Sequence, residues 1–223
     1  MKKVIAILLL LSGIGTIGFP WIEQMYIDHK ANQLIMEWEK NKDKYEPAKG
    51  SAVESLKELD IAFRNAANIS ETAEAAGNNV VKDATSSKNQ KKSPLLVGTI
   101  KIKKIGLYLP VVEGAGPSEL KNAAGHVRGT SMPGEPGNIA IAAHRSLTYG
   151  RFFNRLDEVE KGDTIILEGS KGVYTYKVID KFVVKPTDLS VIAETKKRSL
   201  LTLITCHPIE VASHRLIIRA ELK

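Results

Sequence analysis

The chain has 223 residues, 43% hydrophobic and 26% charged, with a formal net charge of +7. Its one cysteine, Cys206, excludes an internal disulfide and a four-cysteine zinc site, and its five scattered histidines form no H-x-x-x-H pair that would support a metal centre. Residues 93–223 carry 19 basic and 13 acidic groups, so the excess charge lies there; without a dense basic stripe and interleaved aromatics it reads as a solvated surface rather than a nucleic-acid site.

Lys2 and Lys3 precede an uncharged, mostly apolar run from Val4 to Ile22, with Trp21 and Tyr26 near its far end. The run is long enough to span a bilayer, and no small-x-small cleavage site follows it. Residues 1–22 are therefore expected to be an uncleaved membrane anchor rather than a removed signal peptide. Positive charge before the span puts the N-terminus inside the cell membrane and the remaining chain outside. Residues 23–94 read as a helical stem and a linker. Ile27, Ala31, Leu34 and Trp38 form one helical stripe, and Ala52, Leu56, Leu59, Phe63 and Ala66 form another, with Ser51 and Glu54 as a capping box. The expected form is a stalk, or a small helical hairpin burying its own stripes; the competing reading is an element that touches the following domain and regulates it. Gly77 to Pro94 is polar and marks the domain boundary.

From residue 95 the periodicity turns strand-like. Val97–Ile102, Leu107–Val112, Ile139–Ala143, Thr164–Leu167, Val173–Val184, Leu200–Thr205 and Leu216–Leu222 are short runs rich in β-formers, separated by Gly, Pro and Asp. Short helices are expected at Ser118–Ala124 and Tyr149–Val159. Residues 95–223 thus form a mostly β domain, closed or nearly closed.

The chemistry gathers at its end. The apolar run Leu200–Ile204 stops at Cys206, because Pro208 cannot donate to a sheet ladder. If the run starting at Arg215 pairs with it as a hairpin, Arg215 neighbours Cys206, while Arg219 lies about 13 Å further along at strand rise. A cysteine nucleophile needs a base and a positive neighbour. His144 ends the run beginning at Asn138 and, like Cys206, sits where a buried strand gives way to a loop. His207 and His214 adjoin Cys206 and Arg215 in sequence, so in extended geometry they point to the opposite face. His126 lies in a glycine-bounded loop that pattern leaves open, and His29 lies near the expected membrane. Taken alone, a cysteine after an apolar strand is more often buried and inert.

The segment Thr202-Leu-Ile-Thr-Cys206 resembles the TLxTC signature of sortases, the membrane-anchored cysteine transpeptidases of Gram-positive surfaces. The resemblance covers about residues 95–223. It includes Gly98-Thr-Ile-Lys-Ile, Ile105-Gly-Leu-Tyr-Leu-Pro-Val, His126 to Gly137, Asn138 to His144, Phe152-Phe-Asn-Arg-Leu, Gly162-Asp-Thr-Ile and Arg215-Leu-Ile-Ile. It implies a sortase-like closed β-barrel with short helices. Cys206 would attack the threonine carbonyl of an LPxTG-like sorting signal on a surface protein. His144 would handle the amine protons, and Arg215 would hold the oxyanion or the substrate backbone. An amine of a cell-wall precursor or of peptidoglycan would resolve the thioacyl enzyme. Ile204, Ala142 and Thr205 would bind substrate, and Lys185–Ser199 would be the loop over the signal.

The N-terminal anchor without a C-terminal hydrophobic tail argues against the pilus-polymerising class, and the compact domain most resembles the class D sortases, a resemblance that admits a signal variant such as LPNTA. The loop has only Asp188 and Glu194 as acidic residues, so no metal and no cofactor are expected. Two alternatives remain: another extracytoplasmic cysteine peptidase or hydrolase, and a non-enzymatic, membrane-tethered β binding module. An L,D-transpeptidase would need an S-x-G-C-like context, which Thr-Cys-His-Pro is not.

Overall fold

The computed structural model describes residues 25–42, 50–72, 95–148, 150–195 and 197–223. The anchor expected over residues 1–22 and the linker over 77–94 fall outside them, and among the described residues no helix is long and apolar enough to cross a membrane.

Helix α1 spans 25–41 and α2 spans Ala52–Thr72. Eight strands follow: β1 Leu96–Ile102, β2 Leu107–Glu113, β3 Ala124–His126, β4 Gly137–Ala142, β5 Thr164–Gly169, β6 Gly172–Val184, β7 Ser199–His207 and β8 His214–Leu222. They close into a barrel in the order β1-β2-β3-β4-β7-β8-β6-β5. Neighbours are antiparallel except β2 with β3 and β4 with β7, which run parallel. The expected mostly β, closed architecture is what forms.

Face parity along each strand sorts the residues into two layers. Ile139, Ile141 and Ala143 of the β4 run, Leu201 and Leu203 of β7, and Leu216, Ile218 and Ala220 of β8 join the main core cluster with Ile100, Ile165 and Leu167. The alternate residues, Ala140 and Ala142, Ile204 and Cys206, and Ile217, belong to a second cluster. Both faces of β4 and β7 are thus covered, which is why their sequences read as near-continuous apolar runs rather than as alternation.

The cover over the second layer is α2. Leu59, Ala62 and Phe63 are at most 2% exposed and belong to the same cluster as Ile204 and Ile217. On α1, Trp38 packs with Leu96, Val112 and Ala123, and Ile27 joins the main core. The stem is therefore neither a free stalk nor a hairpin burying its own stripes. An apolar outer face of Ala140, Ala142, Ile204 and Ile217 needs covering, and the α2 stripe supplies the cover, while the α1 stripe packs on Leu96, Val112 and Ala123. Burying Leu59 and Phe63 contributes about 2 kcal/mol each.

The two short helices do not form as expected. Residues 118–122 are turns, and Ala124 pairs with Val111 in β3, a three-residue strand too short to show a pattern. Within Tyr149–Val159 only Leu156–Glu158 is helical, as a 3-10 turn. Gly150 and Phe152 adopt φ of 75° and 49°, which interrupts any α-helix there, and Asn154 ties the turn by donating to Ser146 O at 2.6 Å and accepting from Gly150 N at 3.2 Å.

Candidate active site

Three strands bring the polar residues together. Cys206 on β7 is the direct antiparallel partner of Arg215 on β8. On the other side of β7, Ala142 of β4 is the parallel partner of Ile204. His144 lies two residues beyond Ala142, as Cys206 lies two beyond Ile204. The pleat carries both to the same level and the same outward face. Ala143 sits between, with its N–H donating to Ile204 O at 3.2 Å and its carbonyl accepting from Thr205 Oγ1 at 2.8 Å. The β4 exit is thereby fastened to β7 immediately beside both side chains.

A cleft of about 560 Å³ opens at this rim, lined by His144, Cys206, Phe63, Leu147, Arg151 and Phe152 among others. Its walls are largely apolar, and Cys206 is only 6% exposed. Burial pushes the Cys206 thiol up to about 11, against the opposing pull of Arg215 and Arg145, while Asp60 adds to the rise. Burial, helped by the Arg151 charge, lowers the His144 imidazole to about 4. The resting pair is a neutral thiol beside a neutral imidazole, and no hydrogen bond joins the two among the described residues.

Arg215 is 5% exposed, and both of its Nη atoms make hydrogen bonds. Nη1 donates to Ala212 O at 2.8 Å and His214 O at 2.9 Å, and Nη2 donates to Asp60 Oδ1 at 2.7 Å. Its guanidinium carbon lies 5.0 Å from the centroid of the Phe63 ring, whose own centroid lies 5.6 Å from that of His144. Two α2 residues, Asp60 and Phe63, therefore contact the site; a stem touching the following domain was the competing expectation, but neither residue was placed at the site. The available signal was a carboxylate set against the apolar stripe at Leu59, three residues from Phe63 and on its face.

Other named residues are placed elsewhere. Ile204 and Ala142 do share the face of Cys206 and His144, yet at 1% and 0% exposure they lie beneath α2. Thr205 was expected to bind substrate. It has the opposite parity to Cys206, is fully buried, and donates its hydroxyl to Ala143 O, so its role is to hold the strands together. His126 is 2% exposed on β3, with Nδ1 3.1 Å from Glu113 Oε2. His207 pairs with His214 across β7 and β8, and its Nδ1 lies 3.1 Å from Arg145 Nη1. Arg219 pairs with Thr202, and its guanidinium stacks on Phe182 at 5.1 Å. His29 bonds to Gln33 on α1. Over the barrel face, the loop between β6 and β7 is held by Asn138, whose Nδ2 donates to Val191 O at 2.9 Å and whose Oδ1 accepts from Thr202 Oγ1 at 2.8 Å. Among the described residues no three His, Cys, Asp or Glu side chains converge on a metal position.

A thiol, an imidazole and a guanidinium at one barrel rim are the groups that cysteine acyl transfer needs. The chain belongs to the sortase family: the model of the Sortase domain matches residues 100–223, and the enzyme is a cysteine transpeptidase. It is similar to sortase D of Bacillus subtilis, with 28% identity over 93% of this chain and 90% of that protein. It is 34% identical to sortase A of Streptococcus agalactiae over 57% of this chain and 53% of that one. A sortase D5 transpeptidase of Clostridium perfringens shares the fold at a TM-score of 0.54, with 26% identity over 78% of this chain and 99% of that one. Sortase C1 of the group B Streptococcus pilus island 1 reaches 0.60, with 27% identity over 86% and 98%.

Proposed function

We propose that this sortase cleaves an LPxTG-like sorting signal of surface proteins and passes the new C-terminus to a cell-wall amine, with the anchor at residues 1–22 holding the catalytic domain outside the membrane. The observation that carries this reading is the shared level of Cys206, Arg215 and His144 on β7, β8 and β4. Cys206 Sγ gives its proton to His144 and attacks the threonine carbonyl, and Arg215 stabilises the oxyanion. The intermediate collapses as His144 protonates the leaving amine, and the thioester forms. The acceptor amine then gives its proton to His144, attacks the thioester and expels the Cys206 thiolate, which takes that proton back from His144 and restores the enzyme.

Burial favours the neutral form of both groups, so the thiolate forms as the imidazole takes the thiol proton. The similarity to sortase D favours a variant signal such as LPNTA beside LPxTG-type signals. Incubation with a panel of such peptides and mass spectrometry tests this. A thioacyl adduct on Cys206 that an added amine resolves is the expected product. Free acid as the sole product with amine present would make the enzyme a hydrolase on these substrates, and processing by Cys206→Ala would remove the cysteine from the mechanism.

A further inference from the structure

The mechanism leaves one buried acid–base pair unused. Glu113 and His126 are direct partners across β2 and β3, and their side chains are 3% and 2% exposed, with His126 Nδ1 3.1 Å from Glu113 Oε2. By parity they share the inner face of Val111, Ala124 and Ile141. They therefore lie behind the sheet whose outer face carries His144, and they do not line the cleft.

Their neighbours fix where the protons sit. Thr130 Oγ1 donates to Val127 O at 2.7 Å and accepts from Ala140 N at 3.2 Å, so toward His126 Nε2, 3.0 Å away, it only accepts. Ser131 O, 3.2 Å from the same nitrogen, is an acceptor as well. Nε2 thus carries a hydrogen. Nδ1 and the Glu113 oxygen then meet only with a proton between them. Written as imidazolium with carboxylate, or as imidazole with carboxylic acid, the pair holds one proton more than a carboxylate beside a neutral ring. Charged groups at this spot also include Arg128, whose Nη2 donates to Glu113 O at 3.4 Å, and Glu58 of α2, which pairs with Arg128.

The pair is placed to hold His144. Along one edge β4 pairs with β7 from Gly137 to Ala142, but along the other it pairs with β3 only at Ile141 and Ala142. Side chains add what that short ladder lacks. Glu113 of β2 holds His126 of β3, and Thr130, bonded to His126, takes the N–H of Ala140 on β4.

We propose that Glu113 and His126 are positioning residues for His144, joined by one shared proton, and that turnover falls when this proton is lost at high pH. The proposal rests on His144 as the proton carrier of the reaction. Without the shared proton, a lone pair of Nδ1 faces a buried carboxylate oxygen. The ring must then turn or switch tautomer and give up Ser131 O, which loosens the β3–β4 edge. A misplacement of about 1 Å at a reacting group can cost about 10²-fold in rate.

The test uses the full chain in detergent micelles and three measurements: ring-nitrogen NMR of the histidines, amide exchange over residues 140–143, and peptide turnover against pH. Glu113→Gln keeps the size and can donate an amide hydrogen to Nδ1 at any pH, whereas Glu113→Ala removes the contact. In the wild type, the His126 signal, assigned by its loss in His126→Gln, should show a protonated Nε2. Glu113→Ala should lower kcat about tenfold or more with little change in KM, and should quicken exchange over 140–143. Glu113→Gln should restore kcat at neutral pH and move the alkaline fall in kcat to higher pH.

A bare Nε2 with hydrogen on Nδ1 alone, or a pH profile in Glu113→Gln that coincides with the wild type, overturns the shared proton. A wild-type kcat in folded Glu113→Ala, or a loss confined to KM, overturns the positioning role. Should Glu113→Ala prove unfolded by circular dichroism, Glu113→Gln and the ring-nitrogen spectrum decide. Should the wild type cleave no peptide, the sorting-signal reading fails, while the tautomer and the exchange rates still decide for or against the pair.

Discussion

Cys206 and Arg215 face each other as direct partners across β7 and β8, so two groups nine positions apart in sequence are fixed by a hairpin ladder rather than by a loop. The ladder that places the two is made by the backbone, so either side chain can be removed without removing the ladder itself. Cys206→Ala should abolish turnover, and His144→Ala and Arg215→Ala should each lower it by about 10²–10⁴-fold, as for proton-transfer and oxyanion groups. Peptide cleavage assays alongside thermal unfolding check this. A wild-type rate in His144→Ala or Arg215→Ala removes that residue from the mechanism. His207→Ala loses one hydrogen bond to Arg145 and should change turnover by less than about tenfold.

The neutral resting pair gives two pH limbs. The thiol is raised from 9.0 to about 11 in the folded protein, so its protonated form is the one folding favours, and the stability it adds is lost as pH rises from 9 through 11. The imidazole is lowered from 6.5 to about 4, and its contribution is lost as pH falls from 6.5 through 4. Urea unfolding against pH should show Cys206→Ala flattening the alkaline limb and His144→Gln flattening the acid limb. Alkylation of wild-type Cys206 should climb steadily through pH 9, with its inflexion above the value of a free thiol. An inflexion near neutral pH would mean that the pair rests ionised.

Thr205 is a test of strand fastening separate from chemistry. Thr205→Val removes the buried hydrogen bond to Ala143 O and should destabilise the domain by about 1–2 kcal/mol. Since Ala143 adjoins His144, a fall in kcat with little change in KM is also expected. Urea midpoints together with steady-state kinetics separate the two effects, and an unchanged midpoint would show that the bond adds nothing net.

Asn138 holds the loop between β6 and β7 against the barrel through Val191 O. Asn138→Ala also strands the Thr202 hydroxyl, which is fully buried. A loss of about 1–3 kcal/mol is expected. If the loop borders the bound signal, KM rises more than kcat falls, and hydrogen exchange over residues 187–195 quickens. Unaltered exchange there would assign the loop's order to Val191 and Ile192 packing alone.

Most of the barrel was legible because its strands are rich in β-formers and bounded by Gly, Pro and Asp, with β4 and β7 apolar on both faces. The hairpin partnership of Cys206 and Arg215 followed from where Pro208 stops one strand and Arg215 starts the next. β3 escaped notice because Ala-Gly-His carries no period, and it forms by bridging β2, in parallel, and β4, antiparallel. The helix expected at Tyr149–Val159 failed at Phe152, whose positive φ no propensity announces. The location of α2 was the largest omission. Its amphipathic stripe showed that something would cover it, but helical periodicity carries no address. Only Asp60, a carboxylate at the border of an apolar face, hinted that the partner would be a cation. Thr205 was misassigned because nearness to Cys206 in sequence outweighed the parity that sends it inward.

The parallel pairing of β4 with β7 has a separate evolutionary reading. Parallel neighbours need a long crossover, and here that crossover contains the whole β5–β6 hairpin and both flanking loops. Imidazole and sulfur are distant along the polypeptide but adjacent on the ladder. Insertions and deletions in the intervening stretch can therefore reshape what the enzyme recognises without disturbing the spacing of the reacting atoms, and relatives with quite different surface loops can keep one chemistry.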